Sequence, residues 1–205
     1  MEHNNKFKIL VTAFDPFGGE SINPALVAVM QLPDEIDGAT IIKRELPTVF
    51  DKSADILRQL LVEECPDAVI SVGQAGGRAG ITIERVAINI DDARMPDNDG
   101  ITRQDSPIVP GGPAAYFSTL PIKPIVAALK EAGIPAFVSD SAGTFVCNHV
   151  MYTALHYATL KQIDMLAGFV HIPYLPQQVL DKPNMPSMSV ENIVAGLEVL
   201  VKTIL

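Results

Sequence analysis

Asp67-Ala-Val-Ile-Ser-Val-Gly73 is an apolar run of strand length, preceded by Cys65-Pro66 and followed by the glycine-rich stretch Gly73-Gln-Ala-Gly-Gly-Arg-Ala-Gly80. A run that is apolar at successive positions reads as a strand buried on both faces, with helices above and below its sheet. The segments on either side fit that reading. Upstream, Lys8–Ala13 is a short β-branched strand ending in the turn Phe14-Asp-Pro-Phe-Gly-Gly19, and Asn23-Pro24 opens a helix with Asn as cap and Pro at its first position. Ala39–Leu46 reads as a strand and Asp51–Glu64 as a helix. Downstream, Ile81–Asp91 is extended, Ala93–Pro113 is a loop rich in Pro and Gly, and Tyr116–Leu120 is a short edge strand. Ile122–Ala132 is helical, Ala136–Ser139 a strand, Cys147–Leu160 a helix, Met165–Ile172 a strand and Val190–Ile204 a closing helix. Strands alternating with helices predict an α/β protein, a three-layer α/β/α sandwich around a mostly parallel, mixed central sheet.

Composition sets outer limits. The 205 residues, 48% of them apolar, suffice for one well-buried core and are expected to form a single domain over 1–205. The two cysteines, Cys65 and Cys147, lie far apart in a chain without a secretory signal, so the expected setting is a reducing cytoplasm. No apolar run reaches membrane length. A formal charge of −9 and a pI near 4.8 exclude a phosphate-neutralising surface, and with it nucleic acid as the expected partner. Positive mean hydropathy and Pro-bearing apolar segments such as Ile172-Pro-Tyr-Leu-Pro176 point to apolar surface covered by another subunit.

Chemistry concentrates in Ser139-Asp-Ser-Ala-Gly-Thr-Phe-Val-Cys147-Asn-His149, where a small-residue loop delivers a cysteine to the start of a helix. Free backbone N–H groups and the positive end of the helix dipole favour a thiolate there and can hold an oxyanion. Four loops are expected to gather at the carboxyl rim of the sheet: Phe14–Gly19, Gly73–Gly80, Ser139–Val146 and the turn after His171. At 100° per residue, Val150, Met151, Ala154, Leu155 and Ala158 share the face of Cys147, whereas His149 and His156 lie about 160° to 180° away. His3 sits in a polar terminus, which leaves His171, at the end of a buried strand, as the general base; standing alone it would read as a core histidine. A third group must hold the imidazole, and Glu84 shares its strand parity with Val86, Ile88 and Ile90 rather than with Ile81 and Ile83. Its plainer reading is an exposed strand-end acid, and Asp140 is a rival. Pairing with His171 is expected to bring the thiol into the pKa range of about 3.5 to 7.5.

Other motifs are weaker. The Gly73–Gly80 stretch is not G-x-G-x-x-G and runs into a β-like segment, and Phe14–Gly19 lacks the Lys-Ser/Thr of a phosphate loop. Cys147-x-His149 is half a zinc site without a second pair of ligands, so no metal is expected. Cys65 reads as a buried structural thiol.

Four blocks, Phe14–Pro24, Glu84–Asn98, Ser141–Asn148 and Phe169–Pro173, closely resemble the motifs of the pyrrolidone-carboxylate peptidases, also called pyroglutamyl peptidases type I. The resemblance implies a cytosolic cysteine peptidase, without metal or cofactor, that removes an N-terminal pyroglutamyl (5-oxoproline) residue from peptides, usually as a homotetramer. It implies a catalytic Cys147, His171 and Glu84, a pocket formed by Phe14, Phe17, Asn23, Thr48, Gln74, Phe145 and Val146, and Arg94 near the catalytic centre. The alternatives are a nucleoside- or phosphate-handling enzyme on a similar sandwich, which needs the Gly73–Gly80 loop to bind an anion, and a catalytically silent binding protein.

Overall fold

The computed structural model describes residues 6–205, so His3 lies outside the described residues. The three expected buried strands become β1 (Lys8–Phe14), β3 (Ala39–Leu46) and β4 (Ala68–Gln74), with β1 parallel to both neighbours. A two-residue strand absent from the sequence reading, β2 (Glu35–Ile36), folds back on β3. Its turn is Asp37-Gly38, with φ of 46° and 85°, the positive pair that a tight hairpin demands and that Asp-Gly supplies at low cost.

Beyond β4 the sheet changes direction. The strand β8 (Leu166–Ile172) runs parallel to β4, but β5 (Ile81–Ile88) is antiparallel to β8. The short β6 (Ala115–Phe117) is antiparallel to β5 and β7 (Ala136–Ser141) is parallel to it. The order β2-β3-β1-β4-β8-β5-β6, with β7 also on β5, makes one mixed eight-stranded sheet.

Helices cover both faces. On one face α1 (Pro24–Gln31), α3 (Ile122–Glu131) and α5 (Val190–Ile204) pack over Ile9, Val11, Ile70, Val72, Val170 and Ile172. On the other, α2 (Phe50–Glu64) and α4 (Val146–Lys161) pack over Leu10, Phe14, Val69, Ala167 and Phe169. The strands β1, β4 and β8 divide their residues by parity between these two cores, as period-two geometry requires. Asn23 caps α1 as expected, its side chain accepting from Ala25 N at 3.0 Å.

Three readings need correction. Ile81 and Ile83 join the α1/α3/α5 core while Ala87, of the same parity, joins the α2/α4 core, so the alternation of β5 slips by one residue between them. Glu84 therefore does not extend an apolar face of Val86 and Ile88; it is wholly buried, whereas those two are half-buried. The loop after β7 leaves a strand of opposite direction, so only three of the four loops leave strands that run parallel towards one rim. Cys65 is exposed rather than buried, because it ends α2 in the left-handed conformation (φ 46°) ahead of Pro66, which turns it off the helix.

The start of β5 tolerates no side chain. A Cβ on Gly80 would lie 2.5 Å from the Pro135 carbonyl oxygen, the acceptor of Ile81 N that begins the β5–β7 pairing. Gly80→Ala is expected to destabilise the fold by about 1–3 kcal/mol, read as a lower urea midpoint at unchanged slope.

Candidate active site

The antiparallel step between β5 and β8 brings the beginning of one strand to the end of the other: Thr82 is the register partner of His171, and its hydroxyl donates to the His171 carbonyl at 3.3 Å. Glu84 lies two residues further along β5. Its Oε1 accepts from His171 Nδ1 at 2.7 Å and from the Arg78 guanidinium at 2.6 Å, with the carboxylate fully buried. Burial works against the charge on Glu84, but the hydrogen bond and charge of His171, with the nearby Arg78, outweigh it and hold the carboxyl below its ordinary range. Burial also pushes His171 below the usual histidine value, more strongly than Glu84 raises it. The resting imidazole is thus neutral at pH 7, protonated at Nδ1 towards Glu84, with Nε2 left as its lone-pair nitrogen.

Cys147 is the second residue of α4. Across the sheet from His171 stands Gly73, and a Cβ there would lie 3.2 Å from the Cys147 sulfur and 2.8 Å from the Phe169 ring. The missing side chain of Gly73 lets the thiol reach the sheet beside the histidine strand. The Phe169 and His171 rings lie 4.8 Å apart. Cys147 is half-buried, and lost hydration, reinforced by the charge of Glu84, pushes its thiol up to about 12. This corrects the expected range of about 3.5 to 7.5. The helix terminus and Arg78 pull the other way but do not overcome the lost hydration.

Helix α4 is pinned at its first turn. Asn148 accepts from Ile88 N at 2.9 Å and donates to Ile88 O and Ile90 O at 2.9 and 3.0 Å, standing in for a strand partner at the end of β5. His149 turns away from the thiol, as helical phase requires; its Nδ1 bonds Asp91 at 2.8 Å and its ring meets Phe50 edge-on. Arg103 joins the same Asp91 oxygen and also pairs with Asp51. His149 is thereby committed to a buried pair, and the half-zinc reading of Cys147-x-His149 has no geometry behind it.

The anticipated pocket residues divide by how they are held. Phe14 is 2% exposed and stacks on Phe169, 6.2 Å between centroids. Phe17 and Phe145 are half-buried and 6.3 Å apart, with Phe50 edge-on to Phe145 at 5.4 Å. Asn23 and Thr48 spend their side chains on the Asp15 carbonyl, and Thr48 N is held by the Asp15 carboxylate at 2.7 Å, so both shape the Phe14–Gly19 loop. Gln74 accepts from Gln178 at 2.9 Å, and its own amide N–H groups make no hydrogen bond among the described residues. Val146 is buried and Arg94 exposed. Arg78, the one cation of the glycine-rich stretch, is turned onto Glu84 and Thr82, which speaks against an anion loop. A cavity of about 640 Å³ lies at the opposite rim among Val62, Cys65, Tyr157 and Met165, and contains none of these groups.

Sequence reasoning missed Arg78, Gln178 and the Asp91–Arg103 pair. Arg78 was visible only as part of a glycine-rich stretch; a lone Arg six residues before a buried Glu was the available signal. Gln178, the buried residue within the 3-10 turn Pro176–Val179, carried none.

The family model described as pyroglutamyl peptidase matches residues 7–205. A pyrrolidone-carboxylate peptidase of Alkaliphilus oremlandii is 59% identical over 95% of this chain and 91% of its own, and one from Thermosipho africanus is 58% identical over 97% of each. The chain belongs to the pyroglutamyl peptidase family. The fold agrees: pyroglutamyl peptidase I of Bacillus amyloliquefaciens superposes with a TM-score of 0.94 at 46% identity, covering 97% of this chain and 95% of the other. A mutant pyrrolidone carboxyl peptidase of Pyrococcus furiosus gives 0.93 at 47%, covering 97% and 98%. Membership makes this chain a cysteine-type peptidase.

Gly73 supplies a direct check on this geometry. Gly73→Ala is expected to displace the thiol and lower kcat/KM by roughly 100-fold, the scale of an ångström-sized misplacement, with the circular dichroism spectrum retained.

Proposed function

We propose that the chain hydrolyses the bond after an N-terminal pyroglutamyl residue of peptides, with Cys147 as nucleophile, His171 as general acid and base, and Glu84 holding the imidazole. The observation that carries this reading is the Glu84–His171 hydrogen bond at 2.7 Å beside a thiol admitted by the bare backbone of Gly73. Because the resting thiol is protonated, His171 Nε2 takes the Sγ proton as the sulfur attacks the scissile carbonyl. The carbonyl electron pair moves to oxygen, where the free N–H groups of the first turn of α4 receive it. Collapse breaks the C–N bond, and the imidazolium returns its proton to the leaving amine. His171 then deprotonates a water that attacks the thioester, releasing pyroglutamate and the thiol.

A neutral lactam ring suits this entrance. Phe17 and Phe145 offer apolar faces, Phe50 backs Phe145 edge-on, Phe14 stacks on Phe169 in the core, and Gln74 retains N–H donors for the lactam carbonyl, with Asn23, Thr48 and Val146 fixing the walls. A free N-terminal glutamate brings an ammonium and a carboxylate that such a slot cannot solvate, so it is rejected by several kcal/mol, roughly the scale for unpaired buried charge. Arg94 stands at the edge of the catalytic centre.

We assign the protein to the cytoplasm as a homotetramer and treat 1–205 as one catalytic domain. Both cores share one sheet. Phe117 at 71% and Leu180 at 81% exposure provide apolar surface for other subunits. Among the described residues no helix is long and apolar enough to cross a membrane.

Hydrolysis of a pyroglutamyl-coumarin substrate tests the assignment: Cys147→Ala is expected to abolish turnover and Cys65→Ser to leave it intact, and full activity in Cys147→Ala would refute it. The pH profile tests the roles. Loss of activity on acidification tracks protonation of His171, so that limb lies below the ordinary histidine pKa of about 6.5. Glu84 raises the His171 pKa, so Glu84→Gln is expected to move the limb to still lower pH while cutting kcat by about 10²–10⁴.

A further inference from the structure

The two oxygens of the Glu84 carboxylate are held unequally. His171 Nδ1 and the Arg78 guanidinium both bond Oε1, at 2.7 and 2.6 Å, while Oε2 is buried and has no hydrogen-bond partner among the described residues. The Thr82 hydroxyl is already engaged, between the Arg78 guanidinium and the His171 carbonyl. A buried carboxylate oxygen without a donor carries the full cost of its lost hydration, and native structures seldom leave one so. The catalytic scheme names no donor for it.

The β5–β7 pairing brings one within reach. Ser139 is the register partner of Glu84, and residues directly opposite in a sheet put their side chains on the same face as near neighbours. The Ser139 hydroxyl is loosely committed, donating to the Ser141 carbonyl at 3.3 Å, which is long for an O–H donor. It is half-buried, and it lies close enough to Glu84 to help hold that carboxyl below its ordinary range. Asp140 and Arg85, each one residue further along, pair with each other at 3.1 Å.

We infer that Ser139 is a positioning residue, a fourth member behind Cys147, His171 and Glu84, whose hydroxyl turns from the Ser141 carbonyl to donate to Glu84 Oε2. Its catalytic consequence rests on the pyroglutamyl reading above; the hydrogen bond itself does not. With Arg78 on one oxygen and Ser139 on the other, the carboxylate plane is fixed, and the imidazole with it.

The charged and titratable groups around this carboxylate are His171 from β8, Arg78 from the loop before β5 and Cys147 from α4, while β7 brings the Ser139 hydroxyl and α3 meets the sheet through Ile125 and Leu129. A donor on Oε2 draws negative charge away from the imidazole and so opposes its protonation. Removing that donor raises the His171 pKa, the direction opposite to the one expected for Glu84→Gln.

Titration of the His171 ring nitrogens by ¹⁵N–¹H correlation tests the hydrogen bond without substrate, and hydrolysis of the pyroglutamyl-coumarin substrate tests its consequence. Ser139→Ala is expected to raise the His171 pKa by about half a unit to one unit, to move the acidic limb of activity up with it, and to lower kcat about five- to tenfold at unchanged KM. Ser139→Thr keeps a hydroxyl on a residue that suits a strand and is expected to titrate as the wild type does. Asp140→Asn, beside it on β7, is expected to leave the titration in place. An unmoved titration in Ser139→Ala, as a water serving Oε2 would give, overturns the inference, and so does an equal rise in Ser139→Thr or Asp140→Asn; each leaves the pyroglutamyl reading standing. The expected titrations with no hydrolysis by the wild-type protein would overturn that reading while the hydrogen bond stood.

Discussion

The hydrogen bond from His171 Nδ1 to the buried Glu84 carboxylate is possible only because β5 runs against β8, and the site is arranged around it. A buried carboxylate without partners would cost several kcal/mol, roughly the effective desolvation penalty of one ion, and would take up a proton instead. Glu84 has two partners, an imidazole and the Arg78 guanidinium. Arg78 neutralises the carboxylate, so His171 need not become cationic to satisfy it. The imidazole therefore stays neutral and oriented by Glu84, the condition the proposed mechanism needs to remove a proton from the half-buried Cys147 thiol.

That condition matters because, in the proposed mechanism, the nucleophile Cys147 is not activated in advance. The terminus of α4 and Arg78 favour a thiolate, but burial outweighs them. Lost hydration around the half-buried Cys147 favours its thiol form, so the proposed mechanism couples proton transfer to attack. Precision then depends on where α4 begins, and Asn148 and His149 fix it, one through the end of β5 and the other through Asp91.

Much of this was legible in the sequence where local chemistry acts alone. Apolar runs named the strands, Asn23-Pro24 named a helix start, and helical phase separated His149 from Cys147. Direction and long-range pairing were not legible. Nothing local in Ile81–Ile88 says that it runs against β8, and the slip in its alternation between Ile83 and Ala87 defeats a parity count. Glu84 was reached by that count, yet it is buried because His171 and Arg78 receive it, not because it continues an apolar face. Cys65 was misplaced for a similar reason: the left-handed turn before Pro66 exposes it. The thiol pKa failed because the helix dipole is visible in sequence and desolvation is not.

The central claim is that His171 rests as a neutral imidazole, protonated at Nδ1 towards Glu84 and open at Nε2. Long-range ¹⁵N–¹H correlation of the histidine rings at neutral pH measures this directly. The account predicts a protonated Nδ1 and a bare Nε2 for His171, with the imidazolium appearing only below the pH at which a free histidine titrates. An Nε2-protonated tautomer, or an imidazolium at pH 7 paired with a Cys147 thiolate, would contradict it.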